Sequence, residues 1–442
     1  MTGDKAAMKS CIMATLAAIF LPVSAALAND TPLPQPLTLP FALSLADEAH
    51  PELEQYRARL EAAEAYGEEV NALDDFKIGL EAQLRLIEPS HKAQDDTRND
   101  SRIKLKLQKK LYDFGRTEAA RHAAESAHLG RQWDYMDARQ KRRLEIMENF
   151  FKVILADLQY LRDNEVMTMA FLRWKKLQDT QETGKVSDID LLEKENIFRR
   201  EFKKRTLTEN QQRISRSRLA ISLNRPEDLP SQLEPPVLGS LKRELGEIED
   251  LTRQALNNNP HLKALRARVA AAQQDVEYAR AGGRPTIRGE VEAPAYNKVT
   301  GSRDPLAAAV ILEVPLSSGS AVDAGVARKQ AVLRERRAQL LHAEQDVRQA
   351  VLELWLELKS LKVHMDEMNA LADYRELYLD RSRALYELEV KSDLGDAESR
   401  IVDVQLQRAQ TEFDMAMAWG RLDALTGKLI AVDQQVSRGE GE

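Results

Sequence analysis

Residues 50–65 read HPELEQYRARLEAAEA, and residues 259–274 read NPHLKALRARVAAAQQ. At an offset of 209 positions, Pro51, Leu53, Arg57, Ala58, Arg59, Ala62 and Ala63 coincide with Pro260, Leu262, Arg266, Ala267, Arg268, Ala271 and Ala272. A phrase written twice confines the chain to two copies of one unit, provided that later phrases recur in the same order. They do. The leucine and glycine of KLYDFGRTEAARHAA (110–124) return in VPLSSGSAVDAGVARKQA (314–331), while TGKVSDIDLLEKEN (183–196) is matched only poorly by YELEVKSDLGDAESR (386–400), with Glu389 in the place of Gly184 and Gly395 in the place of an acidic residue. Gly115 and Gly319 stand 204 apart, and Gly184 and Glu389 stand 205 apart. The chain reads as an internal duplication.

Within each copy the hydrophobic period changes from 3.6 to 2. Phe76, Ile78, Leu80, Ala82, Leu84 and Leu86 alternate with Lys77, Gly79, Glu81, Gln83 and Arg85. Ile103, Leu105, Leu107 and Leu111 alternate with Arg102, Lys104, Lys106, Gln108 and Lys110, and Lys109 interrupts the apolar row. In the second copy Ile287, Val291, Ala293 and Ala295 alternate with Arg288, Glu290 and Glu292, and Leu306, Ala308, Val310, Leu312, Val314 and Leu316 form a fourth apolar row. Alternation over about ten residues, apolar on one side and charged on the other, is what a transmembrane barrel strand requires. Two ordinary hairpins packed on a core would give a similar row. Four such strands leave two open edges, and open edges cannot sit in hydrocarbon, so a barrel built from them must be shared among several chains. The residues demand an oligomer without fixing its number.

The rest of each copy is helical. Val326, Leu333, Leu340, Val347, Leu354, Leu361 and Met368 recur every seven residues, with Val351, Leu358 and Met365 beside them. Such a heptad run is the seam of a coiled coil. Leu394, Ile401, Met415 and Leu422 continue it, with Val404, Ala418 and Leu425 alongside. In the first copy Trp133, Met147, Ile154 and Leu161 are joined by Leu144, Phe151, Leu158 and Leu172. The helix from about 186 to 223 is more polar, with Phe198 and Phe202 as its anchors. Each copy therefore holds a long helical hairpin, bent near 183–188 and near 390–396.

At the N-terminus Lys5 and Lys9 precede the apolar run CIMATLAAIFLPVSAALA, which ends in Ala26-Leu27-Ala28. That is the pattern of a secretory signal peptide, and it contains the single cysteine, Cys11. No later run reaches the eighteen or so apolar residues of a membrane-spanning helix, so a membrane crossing has to use strands. The expected organisation is a signal peptide over 1–28 and a first repeat over 29–224, with strands at about 76–88 and 102–112 and a hairpin at about 116–223. A proline-rich linker follows at 225–240, then a second repeat over 241–428, with strands at about 285–296 and 305–316 and a hairpin at about 321–427. A polar tail closes the chain at 429–442.

Other chemistries lack their residues. A formal net charge of −7 does not call for nucleic acid, and RQKRR (139–143) and RREFKKR (199–205) read as solvated helix faces. The seven histidines show no metal-ligand spacing, and neither a nucleophile elbow nor a glycine-rich phosphate loop occurs. No enzyme, cofactor or metal is expected.

The order helix, strand, strand, long helix, bend, long helix, written twice, resembles the TolC-type outer-membrane efflux proteins over nearly the whole chain after the signal. In that family each repeat opens on an Asn-Pro-x-Leu phrase, matched closely by NPHLKALRARVAAAQQDVEYARAGGRPTI (259–287), and at His50 with His for Asn. The resemblance implies a mainly α fold with a β-barrel part: a homotrimer, with a twelve-stranded barrel in the outer membrane of a Gram-negative bacterium and a twelve-helix periplasmic tunnel. It implies a passive exit duct for tripartite efflux or type I secretion, served by an inner-membrane transporter and a periplasmic adaptor. A periplasmic coiled-coil scaffold or adaptor without a pore is the alternative.

In the family the bends close the tunnel and acidic residues of the second repeat line the constriction. Here Gly395 and Glu398 occupy those positions, so half of the acidic pair is missing, and Asp393 and Asp396 lie beside it. Asp190 and Glu193 add charge in the first repeat. These acids form a gate or are solvated turn residues. Gly184, Lys185, Val186, Ser187, Lys391 and Ser392 are the expected adaptor contacts. Lys77, Arg85, Arg102, Lys104, Lys106, Lys110 and Arg288 are the expected lumen cations, seven against Glu81, Glu290, Glu292 and Glu313, which suggests a lumen favouring anionic cargo.

Overall fold

The structure is a computed structural model that describes residues 32–89, 97–181, 186–239, 243–298, 303–317, 319–388, 390 and 394–430. The expected signal peptide and all but the first two residues of the expected tail lie outside the described residues. The first copy comprises α1 (Leu39–Ser44), α2 (Pro51–Asn71), β1 (Lys77–Gln83), β2 (Arg102–Tyr112), α3 (Arg116–Gln181) and α4 (Asp188–Ser222). The second comprises α5 (Ile248–Asn258), α6 (Pro260–Arg280), β3 (Thr286–Tyr296), β4 (Ala307–Glu313), α7 (Ala321–Glu387) and α8 (Leu394–Leu425).

The duplicated phrase starts the duplicated helices. α2 and α6 each run 21 residues from a proline, which at the first helical position needs no N–H partner. Asn259 caps α6 by accepting from the Leu262 amide at 3.1 Å. At the same place His50 Nδ1 accepts from the Glu52 amide at 3.2 Å, so histidine does the work of asparagine. Burial lowers the His50 pKa, helped by the Arg142 charge, which favours the neutral ring that a cap needs.

The four strands form one antiparallel sheet in the order β1-β2-β3-β4. β1 and β4 are shorter than their period suggests. β1 ends at Gln83 opposite Arg102, and pairing resumes only at the Leu86–Asn99 bridge. β4 ends at Glu313 because its partner Thr286 is the first residue of β3. Pro294 lies in β3 beyond the pairing of Glu292 with Ala307, where β4 no longer needs a donor from it. All four helix junctions fall at one end of the sheet, and the chain segments 84–101 and 297–306 fall at the other.

α3 and α7 are 66 and 67 residues long, about 100 Å each at 1.5 Å per residue. In the half next to the sheet, α2 packs on α3, α3 on α6, and α6 on α7. In the half toward the bends, α4 packs on α3, α3 on α8, and α8 on α7. The heptad seam of α7 is buried from Val347 through Val351, Leu354 and Leu358, against Leu262 and Leu265 of α6 and Met415, Trp419 and Leu422 of α8.

α3 departs from its heptad reading. Leu161 and Leu172 are half exposed, while Ile146, Phe150 and Val153 are fully buried. With α2, α4, α6 and α8 on several sides, α3 has no single seam, and a strict period of seven finds only part of its core. RQKRR is also corrected: Arg139, Gln140 and Arg142 are buried rather than solvated. Arg139 and Arg143 pair with Asp47 at 2.7 and 2.6 Å, and Arg142 Nε donates to the Ala46 carbonyl. Burial alone would raise the Asp47 pKa, but hydrogen bonds and charge from the two arginines outweigh it and hold the carboxyl below its usual value.

Candidate functional site

The sheet is inside out by the standards of a soluble domain. Ile78, Leu80 and Val310 are 73%, 71% and 72% exposed, and Ile103, Leu105, Val291 and Leu312 share their face. A contiguous apolar sheet face of this kind marks contact with lipid or with another protein. The opposite face is a polar ladder. Lys104 meets Glu292 at 3.1 Å, Lys106 meets Glu290 at 2.9 Å and Glu292 at 3.4 Å, and Gln108 donates to Glu290 at 2.9 Å. Register places Lys77, Arg102, Lys104, Lys106, Lys110 and Arg288 of the expected lumen set on this face.

The set is largely paired. Arg288 meets Glu313 at 3.2 Å, and Lys110 meets Asp74 at 3.0 Å and Asp113 at 3.1 Å. Arg85 lies past the end of β1 and pairs with Asp100 at 3.6 Å. Among the described residues, Lys77 and Arg102 are left without an ion pair. The pairings follow from register, which the alternation of each strand alone does not give. Asp113 ties the sheet to α3: burial would raise its pKa, yet hydrogen bonds from Thr117 and Lys110 hold it below the usual carboxylate range.

Both layers stop at uncovered edges. β1 and β4 bound the sheet. In the half toward the bends, α4 and α7 bound the helices. On α7, Leu341, Leu352, Val363 and Tyr374 are exposed at intervals of eleven, three full turns, and so form one stripe. On α4, Leu207, Ile214 and Ile221 are exposed at intervals of seven.

At the bends, Gly184, Lys185, Lys391, Ser392 and Asp393 lie outside the described residues. Ser187 caps α4 by accepting from the Ile189 amide at 3.2 Å, and Val186 precedes it, half-buried. Asp190 is exposed in the first turn of α4, and Glu193 pairs with Lys194 at 3.1 Å. Glu398 is exposed, whereas Asp396 is bound to Arg173 of α3 at 2.5 Å. Gly395 lies against α3: a Cβ built there would meet the end of the Met169 side chain, which would have to swing aside for a larger residue. Arg162 of α3 pairs with Asp403 of α8 at 3.3 Å, two turns further on. Met169 and Arg173 were not singled out in the sequence, because nothing local ties them to residues more than two hundred positions away. Trp174 stacks on Phe198 at 5.3 Å near the other bend, with Phe171 and Phe202 beside them.

Among the described residues, no group of histidine, cysteine and acidic side chains could hold a metal, and no helix is long and apolar enough to cross a membrane.

Residues 251–428 match the family model described as Outer membrane efflux protein. No curated protein matches the chain. Solved structures share its fold. The outer membrane protein VceC of Vibrio cholerae aligns at a TM-score of 0.71 with 17% identity, over 88% of this chain and 96% of VceC. The CmeC outer membrane channel of Campylobacter jejuni aligns at 0.73 with 14% identity, over 91% and 88%. The MtrE outer membrane channel of Neisseria gonorrhoeae aligns at 0.65 with 16% identity, over 88% and 89%. The family match in the second repeat and the fold over most of the chain bear out the resemblance to the TolC-type proteins, the outer membrane as the location, and a role in efflux transport.

Proposed function

We propose that this chain, an outer-membrane efflux protein by its second repeat and by its fold, assembles as a homotrimer into a twelve-stranded barrel and a twelve-helix periplasmic tunnel. The carrying observation is that sheet and helices end on uncovered edges, β1 and β4 in one layer and α4 and α7 in the other. Lipid leaves no partner for an open strand edge, so another copy has to supply it. Barrels of twelve strands are wide enough to hold water, whereas eight-stranded ones are filled by side chains. The exposed apolar face speaks against a pore-free scaffold, which has no use for a lipid-length sheet.

In this reading the protein is the passive exit duct of a tripartite efflux or type I secretion system. An inner-membrane transporter supplies the energy, and a periplasmic adaptor docks at the bends through Gly184, Lys185, Val186, Ser187, Lys391 and Ser392. Asp190, Glu193, Asp393, Asp396 and Glu398 form the acidic constriction. Arg173 on Asp396 ties the start of α8 to α3 within each chain. The lumen cations act through Lys77 and Arg102, since ion pairs damp the field of the others.

The test is to extract the protein from outer membranes, measure its mass in detergent and record conductance in planar bilayers. A heat-modifiable trimer with stepwise conductance supports the duct; a monomer recovered from the soluble periplasm sinks it. Arg173→Ala should raise the open probability, because the bend loses its tie to α3.

A further inference from the structure

Among the described strand residues, the apolar face of the sheet carries one charged side chain, Lys109. Its register neighbours are Gly289 on β3 and, beyond that, Val310 on β4. Its amine sits over the ring of Phe76, just before β1, at 4.3 Å from the centroid. A groove of 380 Å³ opens here, walled by Phe76, Leu107, Lys109, Leu111 and Val310; Glu290 also borders it, with its carboxylate held by Lys106 and Gln108 on the other face. Gly289 is the gap that makes it: a Cβ there would lie 3.5 Å from Leu111.

The groove has a definite depth. Lys109 is three residues from the end of β2 at which the helices join, about 10 Å along a strand. Tyr112 and Phe114, 55% and 37% exposed and in edge contact at 4.7 Å, stand just past it. Exposed aromatics at a strand end mark the membrane–water boundary of a barrel. On the outer-membrane reading given above, these aromatics stand at the periplasmic boundary, and the anion that a lysine stem can reach there is a phosphodiester.

We infer that the groove binds one glycerophospholipid of the inner leaflet. Its phosphate lies on the Lys109 amine, and one acyl chain lies over Gly289 between Leu107, Leu111 and Val310. Lysine suits this position because its stem packs along apolar surface while its amine reaches the headgroup layer. Phe76 holds the amine in place through the attraction of a cation for a ring face. A second copy of the chain is not the occupant, because the free edges of the sheet are β1 and β4, and the groove lies across its face.

The intact assembly, purified with phosphatidylglycerol and examined by native mass spectrometry, tests the inference. The expected result is a retained lipid in the wild-type protein and about a tenfold weaker retention in Lys109→Gln, the loss of one charge-assisted contact. Lys109→Arg restores it. Gly289→Val fills the groove without touching the charge and weakens retention as well, while Lys77→Gln on the other face leaves it unchanged. Diacylglycerol, which lacks the phosphate, binds wild type no better than phosphatidylglycerol binds Lys109→Gln. Equal retention in Lys109→Gln, Gly289→Val and wild type overturns the site while leaving the barrel intact. Failure of wild type to enter bilayers at all overturns the membrane reading beneath it.

Discussion

Helices α2 and α6 begin from one phrase and end up in different surroundings. α6 buries Pro260, Leu262, Ala264, Leu265, Ala267, Ala272 and Val276, whereas α2 buries only Leu53 and Val70. The cause is a neighbour. α6 lies between α3, the long helix of the preceding repeat, and α7, the long helix of its own; among the described residues the one long helix that α2 packs on substantially is α3. In the proposed trimer, the repeat symmetry places α7 of another copy over α2. The charges agree. α2 carries Glu52, Glu54, Glu61, Glu64, Glu68 and Glu69 against Arg57 and Arg59, and the start of α7 carries Arg328, Lys329, Arg334, Arg336 and Arg337 against Asp323 and Glu335. A duplicated helix thus shows in one half of the chain what the other half is missing.

The strongest way to break this comparison is to place one charge at equivalent positions. Ala267, 6% exposed, faces Gly130 of α3, while Ala58 is exposed. Ala267→Glu should cost about 3 kcal/mol or more in denaturant melts, because it leaves an unpaired charge in a packed interface. Ala58→Glu should stay within about 0.5 kcal/mol for the dissociated chain, as surface changes do, yet abolish the SDS-resistant oligomer. Equal stability losses at both sites would remove the case for a missing neighbour.

A smaller contrast lies at the ends of α4 and α8. Both turn through a left-handed residue, Asn224 at φ 57° and Gly427 at φ 73°. A Cβ at Gly427 would sit 2.9 Å from the Asn258 carbonyl oxygen, so Gly427→Ala should cost about 1–3 kcal/mol from strain and contact together. Asn224→Gly relieves no strain, since asparagine tolerates this conformation, and should cost about 0.5–1 kcal/mol in thermal melts through the lost hydrogen bond from its Nδ2 to the Ala49 carbonyl at 3.0 Å.

Acid titration sharpens the difference further. The Asp47 pKa is held below its ordinary 3.8, so its clamp on Arg139 and Arg143 contributes fully above pH 3.8 and fades as pH falls through the lower folded-state value. Asp47→Asn should therefore lower the melting temperature at neutral pH and remove part of the stability lost below pH 3.8. The second repeat has Leu256 at the matching position, which offers no carboxylate there.

The smallest effect concerns the two caps. The His50 pKa lies below 6.5 in the folded chain, so the unfolded chain takes up its proton first. The cap contributes fully above pH 6.5 and weakens as pH drops through the folded-state value. His50→Asn, which copies Asn259, should flatten that part of the stability profile and be worth about 1 kcal/mol at pH 5. An unchanged slope between pH 7 and 5 would show that the ring does not act as a cap.

Much of this molecule was legible in one dimension. The alternation at 76–86 and 102–111 identified strands and their two faces, and the recurrence of Gly115 at Gly319 fixed the order of parts. Alternation also separated the ladder of Lys104 and Lys106 from the row of Ile103 and Leu105, because neighbouring residues on a strand point to opposite sides. The first bend carries its glycine and acidic phrase, Gly184 and Asp190, whereas the second has Glu389 and Gly395 at those places. What could not be read was who meets whom. Lys106 is ion-paired because β2 lies beside β3 in one register, and Gly395 of α8 lies against Met169 of α3. Arg142 looked like part of a solvated basic run and is buried under α1.

By itself, then, the sequence determined two copies of one unit, the two periods in each, and an apolar sheet face that cannot stay in water. These are properties of a segment and its own backbone geometry, which repeats every 2 or 3.6 residues regardless of what lies alongside. Only the tertiary structure decided the strand register, the neutralising of the polar ladder, the tie between α3 and α8, and the contrast between a covered α6 and a bare α2. Each of those depends on side chains that are distant along the chain and adjacent in space, and no local period encodes that distance.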